Sequence, residues 1–184
     1  MTNTTNFWAG RLARGIALKA IAVIGLSTGT ALADEQSPQY TMTVFSNQSF
    51  SGKVLKGEYE AAIDRITAGR VPKRKRLASL TNLCVAYTKV GELEQADEAC
   101  NAAVALVEQR RDKRSRATHS PADIEAADRA DLAVALSNRG VYFAAKGEKQ
   151  RAQADFEASL ELDAGLSAPE INLARLDSST RRLY

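Results

Sequence analysis

The chain has few of the residues that carry most enzyme and metal chemistry. Its 184 residues include one histidine, His119, and two cysteines, Cys84 and Cys100. It contains no Cys-x-x-Cys pair, no cluster with metal-ligand spacing, no Gly-x-Ser-x-Gly and no phosphate loop. Its carboxylates are scattered over predicted helix surfaces, so no catalytic carboxylate pair can be argued. The sequence therefore predicts a non-enzymatic protein with no cofactor and no metal.

Acidic residues are absent from positions 1–33, which carry three cations. The apolar run 20–26 follows these cations, and Ala31-Leu32-Ala33 stands directly before Asp34. A basic start, a short apolar core and a small-x-small end are typical of a secretory signal peptide. We expect cleavage between Ala33 and Asp34 and a periplasmic or secreted mature chain.

A mitochondrial presequence would also be basic and poor in acid, but its helix would be amphipathic, whereas residues 20–26 are apolar throughout. The run is far shorter than the roughly 20 residues of a bilayer span, so no stable membrane insertion is expected after cleavage. Removing residues 1–33 changes 25 basic and 22 acidic residues to 22 of each. A neutral mature chain lacks the basic excess that a nucleic-acid partner needs, and none is expected.

The mature chain divides into a polar start, a helical domain and a tail. Residues 34–49 are rich in Ser, Thr and Gln and predict a flexible or extended segment, in which 40–45 alternate as a short strand or an extended arm would. Residues 178–184 are predicted to fray. Helical periodicity predicts helices at 50–56, 58–68, 74–90, 92–111, 121–146, 148–163 and from Pro169.

Residues 110–122 admit two interpretations. In one, the flanking helices lengthen into a protruding antiparallel hairpin with a polar tip at 112–119, and Ser120 caps a helix whose first residue is Pro121. In the other, the stretch is a flexible loop. The sequence leaves both open.

One residue pattern recurs along the chain. It consists of asparagine, a small residue, an aromatic residue, glycine, alanine and a core-filling residue. The copies are Asn82, Cys84, Tyr87, Gly91, Ala96 and Cys100, then Asn138, Gly140, Phe143, Gly147, Ala152 and Phe156. A weaker copy with Gly57 lies 34 residues before Gly91, and Asn172 lies 34 residues after Asn138. A 34-residue unit of helix, glycine turn and helix resembles the tetratricopeptide repeat (TPR) family.

The resemblance implies an all-α fold, an antiparallel helix-pair solenoid over residues 50–177. It would hold about two and a half to three repeats and a C-terminal capping helix. Arg139 stands where leucine is usual, and no proline closes the third repeat. In this family the first helix of each pair lines a concave groove. The groove residues implied here are Thr81, Asn82, Val85, Thr88, Lys89, Ser137, Asn138, Val141, Ala144, Ala145, Ile171, Asn172 and Arg175.

The three aligned asparagines are the strongest candidates for ligand binding. A side-chain amide donates and accepts at once, which suits the backbone of an extended peptide. The alternative is that each asparagine bonds a neighbouring helix. The groove lacks the Lys and Arg cluster that resembles a clamp for a C-terminal carboxylate, so a polar or mildly apolar peptide is the expected ligand.

These observations favour a scaffold that binds a peptide of a cell-envelope partner. Two alternatives remain open: a structural subunit that self-associates, for example as a homodimer, and an envelope accessory protein with a basic surface. Cations cluster at 70–76 and 110–116, where an anionic envelope component could bind, although a solvated or internally paired face is the other interpretation.

Cys84 and Cys100 take facing positions on the two helices of one repeat. Export would place them in an oxidising space, and we therefore predict a disulfide. The alternative is that they are two small core residues.

Overall fold

The fold is known from a computed structural model, which describes residues 39–46, 50–116 and 121–181. The predicted cleavage site at Ala33 and Asp34 lies outside these residues, as do His119 and Ser120. Within them all regular structure is helical, as predicted. The helices are α1 Ser51–Leu55, α2 Tyr59–Thr67, α3 Arg76–Val90, α4 Leu93–Ser115, α5 Ala122–Ala145, α6 Lys149–Leu162 and α7 Ser167–Arg181, with a 3-10 turn at Lys73–Lys75.

Three glycines end α1, α3 and α5 in the same way. Gly57, Gly91 and Gly147 have φ of 78°, 82° and 82°, a left-handed conformation that other residues rarely adopt. The residue after each glycine donates its backbone N–H to a carbonyl of the helix that has just ended, as Glu92 does to Tyr87 at 3.0 Å. This capping closes the helix and turns the chain sharply into the next one.

The helices pack in a regular order. Each helix contacts the next one along the chain, and α1, α3, α5 and α7 also contact one another in sequence. Within the described residues, α2, α4 and α6 make no such contacts among themselves. The odd-numbered helices are therefore neighbours, and three of them carry the candidate site.

The repeated small and aromatic residues form the core. Tyr87 and Phe143 pack in one apolar cluster with Phe156, which is fully buried. A Cβ on Gly140 would lie 2.6 Å from Cε1 of Phe156, so only glycine fits there. The disulfide is confirmed: Cys84 and Cys100 are joined between α3 and α4, with an S–S distance of 2.00 Å and a Cα–Cα distance of 4.8 Å.

The long hairpin is confirmed as far as the structure describes it. Helix α4 runs to Ser115 and α5 starts at Ala122, so the flexible-loop interpretation is wrong for residues 110–115. Pro121 is the N-cap, with ψ of 136°, and not the first helical residue as predicted. The ring holds φ at −59°, which suits a helix, but the ψ of Pro121 is extended, so the helix begins one residue later.

The last helix differs from the prediction at both ends. It starts at Ser167 and not at Pro169, because the first four N–H groups of a helix have no intrahelical partner and proline costs little there. It continues to Arg181, into the segment that was predicted to fray. None of the described helices combines the length and apolar character that a bilayer span requires.

Candidate functional site: the groove of α3, α5 and α7

Three buried asparagines lie on neighbouring helices. Asn82 is on α3, Asn138 on α5 and Asn172 on α7, and none of their surface is exposed. Residues 39–46, here called the arm, have no helical or strand assignment and pass across all three. The predicted groove residues are therefore brought together, and the chain itself supplies what lies in the groove.

Each asparagine binds both backbone groups of one arm residue. The N–H of Thr43 donates to Oδ1 of Asn138 at 2.8 Å, and Nδ2 of Asn138 donates to the carbonyl of Thr43 at 2.8 Å. The same exchange joins Thr41 to Asn172, at 2.8 Å in both directions. It also joins Phe45 to Asn82, at 3.0 Å and 3.2 Å.

The spacing of these bonds defines the conformation of the arm. They involve every second residue, as in a β-strand, where alternate residues direct N–H and C=O to the same edge at about 6.6 Å intervals. Going from Thr41 to Phe45, the arm crosses α7, then α5, then α3, opposite to the chain order of the helices. Because these hydrogen bonds go to backbone groups, they fix the register and direction of the arm whatever its side chains are.

Side chains of the arm add apolar contacts. Tyr40 and Met42 pack on the cluster that contains Val141 and Phe143, and Met42 and Val44 pack on Val85 and its neighbours. Phe45 packs on a separate cluster formed by α3, α4 and α5. Val85 and Val141, two of the predicted apolar groove positions, thus belong to clusters on which side chains of the arm pack.

Two cations lie at the α7 end of the arm. Nζ of Lys89 donates to the carbonyl of Tyr40 at 3.1 Å. Arg175 donates to the carbonyl of Gln39 and, at 3.0 Å, to the hydroxyl of Thr41. Burial lowers the pKa of Lys89, and the charge of Arg175 lowers that pKa further. Both predicted groove cations therefore donate hydrogen bonds to backbone carbonyls of the arm.

Other predicted groove residues make no polar contact with the arm. The hydroxyls of Thr81, Thr88 and Ser137 are buried and find no hydrogen-bond partner among the described residues. Ile171 is exposed. The alternative, that the asparagines bond a neighbouring helix, is wrong, because their bonding partners are arm residues.

Sequence reasoning did not identify the arm as the occupant of the groove. The available signal was the alternation of apolar and polar residues at 40–45, which indicated extended backbone but not its location. The hydrogen bond between Thr41 and Asn172 joins residues 131 positions apart, and no local sequence pattern predicts such a contact.

Arg139 has a structural role beside the groove. It forms a bidentate pair with Asp155 on α6, at 2.7 Å and 2.8 Å, and a longer bond of 3.3 Å to Asn101 on α4. Its guanidinium also lies 5.6 Å from the ring centroid of Phe143. Polar contacts of Arg139 thus connect α4, α5 and α6.

The described residues include no group of three or more His, Cys, Asp or Glu placed to hold a metal ion. Comparisons with family models, curated proteins and solved structures give no match. Function must therefore be argued from the groove itself.

Proposed function

We propose that this chain is a TPR-like, non-enzymatic interaction module that binds an extended peptide segment of a partner protein in the groove of α3, α5 and α7. The observation that carries the proposal is the ladder from Asn82, Asn138 and Asn172 to alternate backbone groups of the arm. Such a ladder gives affinity for any extended peptide of suitable length, and the apolar contacts decide which peptide sequences bind best.

The arm indicates the class of partner sequence. Its apolar side chains at 40, 42 and 44 alternate with threonines at 41 and 43. A partner segment should likewise be extended, carry apolar residues at every second position and lack proline where an asparagine accepts an N–H. The cations Lys89 and Arg175 meet carbonyl oxygens, so the segment needs no acidic residue.

A partner must compete with the arm. The arm is joined to α1 through residues 47–49, and a tethered ligand acts at an effective concentration near the millimolar range. A partner therefore binds weakly to the intact chain unless its segment pairs better than the arm does. The arm sets an affinity threshold and covers the apolar groove when no partner is bound.

A groove-opening variant tests the proposal. Thr43→Pro removes the N–H that Asn138 accepts and should release the arm. We expect this variant to bind a fluorescein-labelled peptide of residues 38–47 saturably, as measured by fluorescence anisotropy. Adding Asn138→Ala should weaken binding at least tenfold.

Two methylated peptides provide the matched control. N-methylation at Thr43 removes a bonded N–H, whereas N-methylation at Val44 alters one that bonds to no asparagine. The first peptide should lose most of its affinity and the second should retain it. Equal binding of both peptides would show that the asparagine ladder does not recognise the segment.

A self-associating subunit is the second candidate, favoured by one observation. The groove fits residues 39–46 of this same chain, so the arm of a second copy would fit it equally well. Exchange of an identical element is a low-cost route to dimers. Analytical ultracentrifugation would show a concentration-dependent dimer that Thr43→Pro abolishes.

We further propose that the module works in an exported, oxidising compartment, the periplasm or the secreted space, with a cell-envelope partner. The disulfide between Cys84 and Cys100 supports this, because such bonds persist in oxidising compartments. The signal-like residues 1–33 agree with it. Amino-terminal sequencing of the mature protein, expected to begin at Asp34, tests the assignment.

A further inference from the structure

The two basic clusters of the chain differ in whether carboxylates pair with their cations. On the long hairpin, Arg110 pairs with Asp131 at 3.2 Å, and Arg114 pairs with Asp128. Between α2 and α3, five cations lie within seven residues and none forms a salt bridge with a described carboxylate. They are Arg70, Lys73, Arg74, Lys75 and Arg76. Two of the five hairpin cations are thus paired with carboxylates, whereas none of the second cluster is paired with a described carboxylate.

Three cations surround a cleft beside this second cluster. The cleft has a volume of about 310 Å³ and is lined by Phe50, Arg65, Ile66, Ala68, Gly69, Arg70, Val71, Pro72 and Lys75. No carboxylate of the described residues lines it. The larger cleft on the hairpin, of about 580 Å³, contains four carboxylates and three arginines in its lining. The smaller cleft is therefore the one that attracts an anion.

The remaining lining of the cationic cleft is apolar. Ile66 and Phe50 are buried, with 3% and 7% of their surface exposed, and Val71 is half-buried. Arginine binds phosphate oxygens through paired N–H groups, and lysine adds a point charge. An apolar floor under such a rim suits a ligand that joins an anionic group to a hydrocarbon part.

We propose that this cleft binds the phosphate head group of an anionic phospholipid at a membrane surface. The head group would lie between Arg65, Arg70 and Lys75, with the glycerol backbone against Val71 and Pro72. Lys73, Arg74 and Arg76 lie next to the cleft residues in sequence, are exposed, and would add to the attraction of a negatively charged lipid surface. Basic clusters of this size bind anionic bilayers, and the attraction weakens as salt screens it. An acidic protein surface would satisfy the cations but leave the apolar floor unused.

Vesicle binding tests the proposal with the protein recovered after expression of the full chain. Cosedimentation uses vesicles of phosphatidylcholine alone and of phosphatidylcholine with phosphatidylglycerol. We expect binding to the anionic vesicles only, and a loss of at least tenfold in affinity for the triple variant Arg65→Gln, Arg70→Gln, Lys75→Gln. Near-ultraviolet circular dichroism checks that this variant retains its fold.

A charge-matched control variant carries Arg111→Gln, Lys113→Gln and Arg116→Gln, which remove three exposed cations from the hairpin. It should retain at least half of the wild-type affinity. Equal losses in the two triple variants, or no binding to anionic vesicles, would overturn the proposal.

A third variant tests the apolar floor. Val71→Ser leaves every cation in place and should weaken vesicle binding severalfold, with no change in the binding of polyglutamate. Unchanged vesicle affinity in this variant would mean that the surface responds to charge alone, and the lipid assignment would be wrong.

Discussion

Asn138 and Thr43 exchange two hydrogen bonds of 2.8 Å across 95 residues of sequence. The amide is fully buried and bonds both backbone groups of one arm residue. A hydroxyl or a carboxylate could not do both at this position, because only an amide combines N–H donors with a carbonyl acceptor in one rigid plane. The groove and the arm therefore stabilise each other.

Asn138→Ala should lower the free energy of unfolding by about 2 kcal/mol, because two hydrogen bonds are lost and the backbone groups of Thr43 lose their partners. Urea denaturation measures the stability, and hydrogen exchange should show a less protected Thr43 amide. Gln153→Ala is the control, since its amide bonds Glu157 on the exposed face of α6, and its cost should stay below about 0.5 kcal/mol. An unchanged Thr43 exchange rate would contradict the pairing.

Gly140→Ala should destabilise the fold by about 1–3 kcal/mol, since overpacking outweighs the gain in helix propensity. The added Cβ would lie 2.6 Å and 2.7 Å from two ring carbons of Phe156. Thermal unfolding measures the effect. Gly52→Ala is the matched control, because its Cβ would meet nothing within 4 Å and stability should hold or rise.

A double-mutant cycle tests the contact at Gly140 directly. In a Phe156→Leu background the ring is gone, so Gly140→Ala should cost less than it does alone. If the two substitutions act additively, the close approach of α5 and α6 does not depend on this pair.

Reducing the disulfide between Cys84 and Cys100 should cost about 3 kcal/mol, the value expected for a closed loop of about this length. The two cysteines are 16 residues apart and fully or nearly fully buried. The melting temperature with and without reductant measures the loss. A Cys84→Ala, Cys100→Ala variant should be less stable than the oxidised protein and insensitive to reductant. Two titratable thiols in the unreduced, denatured protein would show that no disulfide forms.

Arg139→Leu should destabilise by about 2–3 kcal/mol because it leaves the carboxylate of Asp155 without its bidentate partner. That carboxylate is mostly buried, with a side-chain exposure of 10%. The double variant Arg139→Leu, Asp155→Leu should recover most of the loss, since an apolar pair of similar volume packs well. Chemical denaturation of the cycle measures the coupling.

Arg151→Leu is the control for the Arg139 prediction. Arg151 also lies over the ring of Phe143, at 3.8 Å, but 58% of its side chain is exposed. We expect an effect below about 1 kcal/mol, because an exposed cation over a ring contributes little. Equal losses at 139 and 151 would mean that ring stacking, and not the pair with Asp155, stabilises this junction.

Much of the local structure could be predicted from the sequence. The helices from α2 to α6 begin and end within a few residues of their predicted bounds, because apolar spacing and left-handed glycines such as Gly91 act over a few neighbours. The facing cysteines could be predicted for the same reason. The start of α7 could not, since a proline in the first turn is compatible with either boundary.

The sequence by itself determined the helical segments and the glycine turns between them, because each depends on contacts within one or two turns of chain. The tertiary structure alone decided what the three asparagines bind, that Arg139 pairs with Asp155, and that described carboxylates pair with two cations of the hairpin cluster but with none at 70–76. Those outcomes depend on which distant segments meet. The hydrogen bonds between the arm and the asparagines join residues that are 37, 95 and 131 positions apart in the sequence. Only the packing of α3, α5 and α7 places the three amides side by side along the arm.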